Sequence, residues 1–283
     1  MMRVFIDSGA TKTEFLLVDS QGDTTQFQLE GINANYTSKK QIERIMRQFA
    51  ATIGGEKGET IEQIIYYGAG CMPLHNQEKI KEIIQPLFPT ATVAVHSDLL
   101  GACHATCGDQ PGYVAILGTG SAACYYDGEQ ITNLAPSLGY LLGDEGGGIY
   151  LGKLFLQHYL KGMLSDSLKK RFESEFEVDR ARVLHLLYRD IEPEKWMATI
   201  PLFLKKETAN PEVQQIVTLN FTHFFEEQQR YFQTESIAWH VVGSLGFHFQ
   251  EQLKQAAQNL NMQIVQVIAQ PVHQIMLNFA HYE

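Results

Sequence analysis

Cysteine is scarce in this chain. Four residues out of 283, Cys71, Cys103, Cys107 and Cys124, sit inside hydrophobic or glycine-rich stretches, and no Cys-x-x-Cys pair or disulfide framework is formed by their spacing. That usage excludes a small disulfide-stapled fold and predicts a reducing, cytoplasmic setting. Basic charge is scarce as well: 22 Lys and Arg stand against 32 Asp and Glu, a formal net charge of −10, so nothing offers a footprint to a nucleic-acid backbone or an anionic membrane. Neither is expected as a partner. No apolar run approaches the ~18 residues of a membrane span, and Met1 to Asp7 reads as the start of a strand, not as a secretion signal. Hydrophobic residues at 45% and charged residues at 19% argue against disorder and for a packed core. At ~100–200 residues per domain the length predicts one large or two medium domains, and two lobes are the preferred reading.

The hydrophobic periodicity divides the chain. Val4 to Asp7, Glu14 to Asp19 and Thr24 to Leu29 read as a three-strand meander with a glycine in its first turn. Ile42, Ile45, Met46, Phe49 and Ala50 recur at helical spacing, with Gly54-Gly55 expected to stop that helix. A strand at Ile61 to Tyr67, a helix carrying Ile80 to Phe88 and a strand at Thr92 to His96 follow, an alternation that implies parallel sheet. Past Pro111-Gly112 the meander begins again, with strands at Tyr113 to Leu117, Ala122 to Tyr126 and Gln130 to Leu134. From Glu145 to about Phe232 the pattern is helical, punctuated by Pro193, Pro201 and Pro211. Strand, helix and strand then return at 237–242, 245–260 and 262–268, before a last helix after Pro271.

Five segments could carry chemistry. In Asp7-Ser8-Gly9-Ala10-Thr11-Lys12-Thr13 an acid ends a strand and a hydroxyl-rich glycine turn follows, which could offer backbone N–H groups and Thr and Lys donors to a phosphate tail; an ordinary hairpin turn explains the same residues. Leu117-Gly118-Thr119-Gly120-Ser121 repeats the device at the equivalent place in the second half, and the pairing favours nucleotide binding. Asp98, after a strand and at a helix start, could take a proton from a substrate hydroxyl; capping of the helix by Ser97 and Asp98 is the competing reading. Asp144, in Gly143-Asp144-Glu145-Gly146, could bind a hydroxyl or act through a metal-bound water, with capping of a helix as the competing reading. Gly243-Ser244 opens a helix from a strand, as an adenosine seat or a plain connecting turn. Cys103 and Cys107 share a helix face, but two thiols do not make a metal site, and buried packing is favoured for them.

Taken in order, these segments resemble the two-lobed ATPases of the actin, hexokinase and heat-shock chaperone type, and within them the BadF/BadG/BcrA/BcrD-type family and its N-acetylglucosamine kinases. The resemblance runs over nearly the whole chain, and its most specific piece is Gly118-Thr119-Gly120-Ser121 followed by Gly143-Asp144-Glu145-Gly146. It implies an α/β, ribonuclease H-like fold with a mixed sheet in each lobe and an added helical region in the second. The implied organisation is an N-terminal lobe over 1–109, a C-terminal lobe over 110–270 with helices inserted at about 145–232, and a helix at 271–283 returning to the first lobe. It further implies ATP and Mg²⁺ as cofactors. Gly9, Ala10, Thr11, Lys12 and Thr13 would form one phosphate loop and Gly118, Thr119 and Gly120 the other. Asp7 would hold Mg²⁺ through water, and Gly243 and Ser244 would line the adenosine pocket. Asp98 would be the general base for transfer to O6 of an amino sugar bound by Asn35, Ser121 and Asp144.

Two departures fall on the sugar side. Family members commonly carry Asn where this chain has Ala122, and an aromatic residue often precedes the Gly-Asp-Glu-Gly segment, where this chain reads Ser137-Leu138-Gly139-Tyr140. A kinase for a different hexose, an ATPase that activates a partner redox enzyme, and a non-catalytic sugar sensor are the alternatives. A homodimer is the preferred assembly, since symmetric dimers are the commonest.

Overall fold

The computed structural model describes residues 2–59, 61–233 and 237–279, with side chains outside 54–59. Two units emerge: the described parts of Met1–Gly112, Tyr126–Thr132 and Gln270–Glu283 make the first, and those of Tyr113–Tyr125 and Asn133–Ala269 the second.

In the first unit the chain runs β1 (Met2–Ser8), β2 (Lys12–Val18), β3 (Thr24–Glu30), α1 (Lys39–Glu59), β4 (Ile61–Gly68), α2 (Leu74–Ile84), β5 (Thr92–Ser97) and α3 (Asp98–Thr106). The sheet order is β3-β2-β1-β4-β5, with β1, β4 and β5 parallel and β2 and β3 antiparallel beside them. Near-continuous apolar strands follow from a sheet covered on both faces. The two-residue period then sorts them: Val4, Ile6, Phe15, Leu17, Ile64 and Tyr66 pack with Ile42, Ile45, Met46 and Phe49 of α1 and Ile80, Ile83 and Ile84 of α2. The alternate residues Phe5, Leu16, Ile65 and Tyr67 pack with Ala105 of α3 and with Val272, Ile275 and Phe279 near the end of the chain.

The second sheet is built from β6 (Gly112–Leu117), β7 (Ser121–Tyr126), β8 (Ile131–Leu134), β9 (Ala238–Val242) and β10 (Gln263–Ile268), in the order β10-β9-β6-β7-β8, with β6, β9 and β10 parallel. Between β8 and β9 come α4 (Gly139–Leu142), α5 (Gly148–Leu160), α6 (Asp166–Phe176), α7 (Arg180–Tyr188), α8 (Pro193–Met197), α9 (Ile200–Lys206) and α10 (Pro211–Phe232). All three prolines stand in the first turn of their helices, where no intrahelical N–H is needed. Val213, Ile216, Val217, Phe221, Phe224 and Phe225 form the buried stripe of α10, against which Trp239 of β9 packs. The chain continues through α11 (Ser244–His248), α12 (Gln250–Asn259) and β10 to α13 (Val272–Asn278), which belongs to the first unit; residues 280–283 of the expected last helix lie outside the described residues.

Three local expectations fail. Gly54-Gly55 does not stop α1, which continues to Glu59: a glycine inside a helix costs only about 1 kcal/mol, less than the packing of the preceding stripe supplies. Leu87 and Phe88 lie past the end of α2. The helix expected over 245–260 is two, broken at Phe249, whose ring is buried and whose backbone leaves helical geometry.

Glycines set the tightest approaches. Gly243 ends β9 at φ 126°, and a Cβ there would lie 2.3 Å from the Leu117 carbonyl oxygen. Gly22, also left-handed at φ 89°, has open space around it. Gly243→Ala should therefore lower the denaturant midpoint of the second unit by the equivalent of at least ~3 kcal/mol, and Gly22→Ala should cost no more than ~1–2 kcal/mol of backbone strain. Equal effects of the two substitutions in equilibrium unfolding would contradict the close packing at Gly243.

Candidate functional site

The parallel strands of the first sheet end together, and the polar residues of interest gather at their carboxyl ends, where open α/β sheets bind ligands. After β1, Gly9 N–H donates to the Lys12 carbonyl at 2.9 Å, closing the turn. Gly31 backs it: its N–H donates to the Thr11 carbonyl at 3.1 Å, and a Cβ at Gly31 would fall 2.5 Å from the backbone of Ala10 and Thr11. Ser8 Oγ, 2.7 Å from Thr13 Oγ1 and accepting from Ile32 N–H at 3.2 Å, ties both strand ends to the same segment. Gly9 itself faces open space, with only the Lys12 carbonyl oxygen at 3.7 Å from a Cβ placed there. The turn is rigid behind and clear in front, the form a phosphate cradle requires.

Three carboxylates accompany it. Asp7 pairs in register with Glu14 across β1 and β2. Glu14, 2% exposed, accepts from Lys12 Nζ at 2.6 Å through Oε1, while Oε2 has no hydrogen-bond partner among the described residues. Burial, with the negative charges of Glu14 and Asp98, pushes Asp7 up to about 7, against the opposing pull of Lys12. Asp98 opens α3 directly after β5. Ser97 is the N-cap, its Oγ accepting from Leu100 N–H at 3.2 Å, so capping does not require Asp98. The Asp98 carboxylate accepts from Leu99 N–H at 2.9 Å, and burial still raises it to about 6. Acids held this close with one lysine to offset them fit a cation at this edge; among the described residues no three His, Cys, Asp or Glu form a metal-ligand group, so the phosphates and water would supply most of a Mg²⁺ shell.

The segment after β3 folds over the same edge. Ala34 N–H donates to the Ala69 carbonyl at 2.9 Å, and Asn33 bridges to Ala69. Asn35 is exposed there, its Oδ1 accepting from Asn76 Nδ2 at 2.8 Å.

In the second unit the turn after β6 is gripped by the start of α5. Gly118 N–H donates to the Gly120 carbonyl at 3.0 Å, while Gly148 and Ile149 N–H donate to the carbonyls of Gly118 and Thr119 at 2.8 and 3.0 Å. The first orphan donors of α5 are thus taken by the turn itself. A Cβ on Gly147 would meet the Gly120 backbone at 2.8 Å, whereas one on Gly118 would meet nothing within 4 Å. Gly147, not Asp144, is the cap of α5. Asp144, at φ 59°, instead turns its carboxylate to the Ser121 backbone N–H, and a Cβ on Gly120 would lie 2.7 Å from its Oδ2. Burial raises its pKa, opposed by Lys153. Gly243 packs on the Leu117–Gly118 backbone and Ser244, exposed, begins α11 beside the turn.

The first unit therefore brings together Asp7, Gly9 to Thr13, Asn35 and Asp98, and the second unit Gly118 to Ser121, Asp144, Gly243 and Ser244. Sequence reasoning overlooked Gly31, Glu14, Asn76 and Gly147, which support these residues from behind. The four cysteines are buried, and Cys107 is the C-cap of α3, one turn after Cys103, with its N–H donating to the Cys103 carbonyl at 2.8 Å.

No protein-family model matches the sequence, and no curated protein does. Solved structures match along its whole length. The "Putative N-acetylglucosamine Kinase" of Porphyromonas gingivalis is 30% identical, with 100% of this chain and 99% of that one covered and a TM-score of 0.90. The protein of the same description from Chromobacterium violaceum is 18% identical over 100% and 99% of the two chains, TM-score 0.71. A ROK family glucokinase from Streptomyces griseus, solved with glucose and AMPPNP, shares the fold at 12% identity over 99% and 97%, TM-score 0.57. With paired glycine turns in two mixed α/β sheets and a 30%-identical relative spanning its full length, the chain belongs to the N-acetylglucosamine kinase-like, BadF/BadG-type ATP-dependent phosphotransferases of the two-lobed actin/hexokinase fold.

Proposed function

We propose that this chain transfers the γ-phosphoryl group of ATP to a sugar hydroxyl, with N-acetylglucosamine phosphorylated at O6. The observation that carries the reading is the Asp98 carboxylate: it stands at the carboxyl edge of a parallel sheet, is spared from capping by Ser97, and is lifted by burial to about 6. A base for an alcohol must be ionised at working pH and still hold a proton as the oxygen attacks, and a value near 6 serves both needs. Relatives named for this activity support the choice of substrate.

In this reading Gly9, Ala10, Thr11, Lys12 and Thr13 bind phosphate oxygens through backbone N–H groups, hydroxyls and the Lys12 ammonium. Lys12 is held at the turn by Glu14. Gly118, Thr119 and Gly120 make the equivalent phosphate contact from the second unit, and Gly243 with Ser244 takes the adenosine. Asp7 holds Mg²⁺ through water; the ion, when bound, neutralises charge on the phosphates. Asn35, Ser121 and Asp144 bind sugar hydroxyls. Asp98 orients the acceptor hydroxyl and takes its proton.

The test is ADP release from ATP and Mg²⁺ against a panel of hexoses and N-acetylhexosamines. Release stimulated most by N-acetylglucosamine is expected; hydrolysis indifferent to every sugar would overturn the reading. Asp98→Asn should lower kcat by ~10²–10⁴-fold with the KM for ATP little changed, and retained wild-type turnover would remove Asp98 from the role of base. For the wild-type enzyme at saturating ATP, Mg²⁺ and sugar, kcat should climb with unit slope as pH rises toward about 6 and then level off; a profile flat between pH 5 and 8 would contradict it. Asp7 yields a stability prediction. Its folded value of about 7 exceeds the ordinary 3.8, so the folded state binds the extra proton, and stability is lost as pH rises between these values. Asp7→Asn, neutral at every pH, should therefore raise the thermal midpoint by several degrees at pH 8 and by little at pH 4, measured without nucleotide. A gain independent of pH would show that Asp7 ionises without cost.

A further inference from the structure

Asn76, the third residue of α2, is a buried polar side chain at 5% exposure, and both hydrogens of its amide nitrogen are committed. Nδ2 donates to the Gly70 carbonyl at 2.8 Å and to Asn35 Oδ1 at 2.8 Å. A main-chain carbonyl can only accept, so Gly70 settles which end of the Asn76 amide is the nitrogen. That nitrogen in turn settles Asn35, whose oxygen must point inward. The outward end of the exposed Asn35 amide is then its NH2.

The surroundings leave little room for another arrangement. Asn35 N–H donates to Asn33 Oδ1 at 3.0 Å, and Lys79 Nζ donates to the carbonyls of Ala34 and Thr37 at 3.0 and 3.3 Å, fixing the loop on both sides of Asn35. Gly70, at φ 77°, lets the segments meet: a Cβ there would lie 2.6 Å from Asn33 Oδ1 and 2.9 Å from Asn35 N.

We infer that Asn76 is a positioning residue that presents Asn35 to the ligand as a hydrogen-bond donor only, so that the ligand atom Asn35 binds is an acceptor: an amide carbonyl oxygen, or a sugar hydroxyl whose own hydrogen is donated elsewhere. The identification of that ligand as a sugar rests on the proposed function; the orientation of the amide does not. Asn76→Asp replaces the inward-facing nitrogen with an oxygen, so the Asn35 amide must reverse to keep its bond and then shows the ligand its oxygen. Asn35→Asp keeps the bond from Asn76 and likewise shows the ligand an acceptor.

Each substitution should raise the KM for the sugar by about tenfold, the scale of one hydrogen bond turned from attractive to repulsive, while the KM for ATP stays within about twofold. In an Asn35→Ala background Asn76→Asp should add nothing to the sugar KM, because its effect passes through Asn35. Additive losses, or a parallel rise in the KM for ATP, would overturn the inference and leave Asn76 as a brace for the loop. The second measurement needs neither substrate nor variant. In the 15N–1H spectrum of the wild-type protein both Asn76 side-chain amide protons should be protected from solvent exchange and the Asn35 pair should exchange fast. Rapid exchange at Asn76 refutes the orientation even if the variants do not fold. Protection at Asn76 in a protein that no sugar stimulates would instead refute the kinase reading and leave the amide orientation standing.

Discussion

The candidate site depends on two chain segments lying against each other at backbone-contact distance behind each hydroxyl-rich turn. Each turn spends one N–H on its own closure, Gly9 on the Lys12 carbonyl and Gly118 on the Gly120 carbonyl, so the rest of its shape must be imposed from behind if its other N–H groups are to meet a ligand. In the first unit Gly31 does this, pressing on Ala10 and Thr11; in the second Gly147 presses on Gly120 and Gly243 on Leu117 and Gly118. Any side chain at these three positions would occupy space already filled by main-chain atoms, which cannot turn aside as a flexible side chain can. The outward-facing Gly9 and Gly118 are different: their neighbourhoods are open, and their absence of a Cβ matters to what approaches from outside. Glycines thus have two roles in these motifs, and geometry separates them.

Electrostatics is the second constraint, and it follows from the first. Rigid turns at the carboxyl ends of β1 and β5 hold Asp7 and Asp98 where burial opposes their ionisation, and at Asp7 the negative charges of Glu14 and Asp98 add to that opposition. The N-terminal turn of α3 relieves part of this for Asp98 by donating Leu99 N–H, and Lys12 relieves part for Asp7. The compensation is incomplete, since both aspartates stay above their ordinary range. An edge left short of positive charge is suited to a cation arriving with its own phosphates.

Much of this was legible in the sequence because the signals are local. Short apolar runs bounded by turn residues placed β1, β2 and β4, and a hydroxyl-rich glycine turn near the start of each half marked the two turns of interest. The supporting residues were not legible. Nothing in Glu30-Gly31-Ile32 says that Gly31 contacts Ala10 across 21 positions of chain, and Asn76 sits in a helical pattern as one polar residue among several. Their roles exist only once the sheet edge assembles distant segments. The capping alternatives for Asp98 and Asp144 illustrate the same limit. A cap is decided by which residue holds the extended backbone directly before the first turn, and Ser97 and Gly147 hold those positions. The failed stop at Gly54-Gly55 is the converse case, a local signal overruled by packing elsewhere along the same helix.

On the sugar side, the absence of an Asn at position 122 has to be weighed against what Asp144 does in its vicinity. An Asn there would add a donor and an acceptor at the start of β7; Ala122 adds neither. Asp144 has one interaction spent on Ser121 N–H and its pKa raised by burial, and Lys153 lies close enough to oppose that rise. Lys153 is itself anchored, donating to the Tyr140 carbonyl at 2.5 Å and lying 4.9 Å from the Tyr150 ring centre. The carboxylate therefore keeps its orientation without help from residue 122, and its remaining lone pairs can accept from hydroxyls. Losing the neighbouring amide removes a contact without disordering the one that stays. Under the proposed function Ala122 would act on selectivity among sugars, through the group the missing amide would have met, and hydroxyl recognition by Asp144 would stay intact.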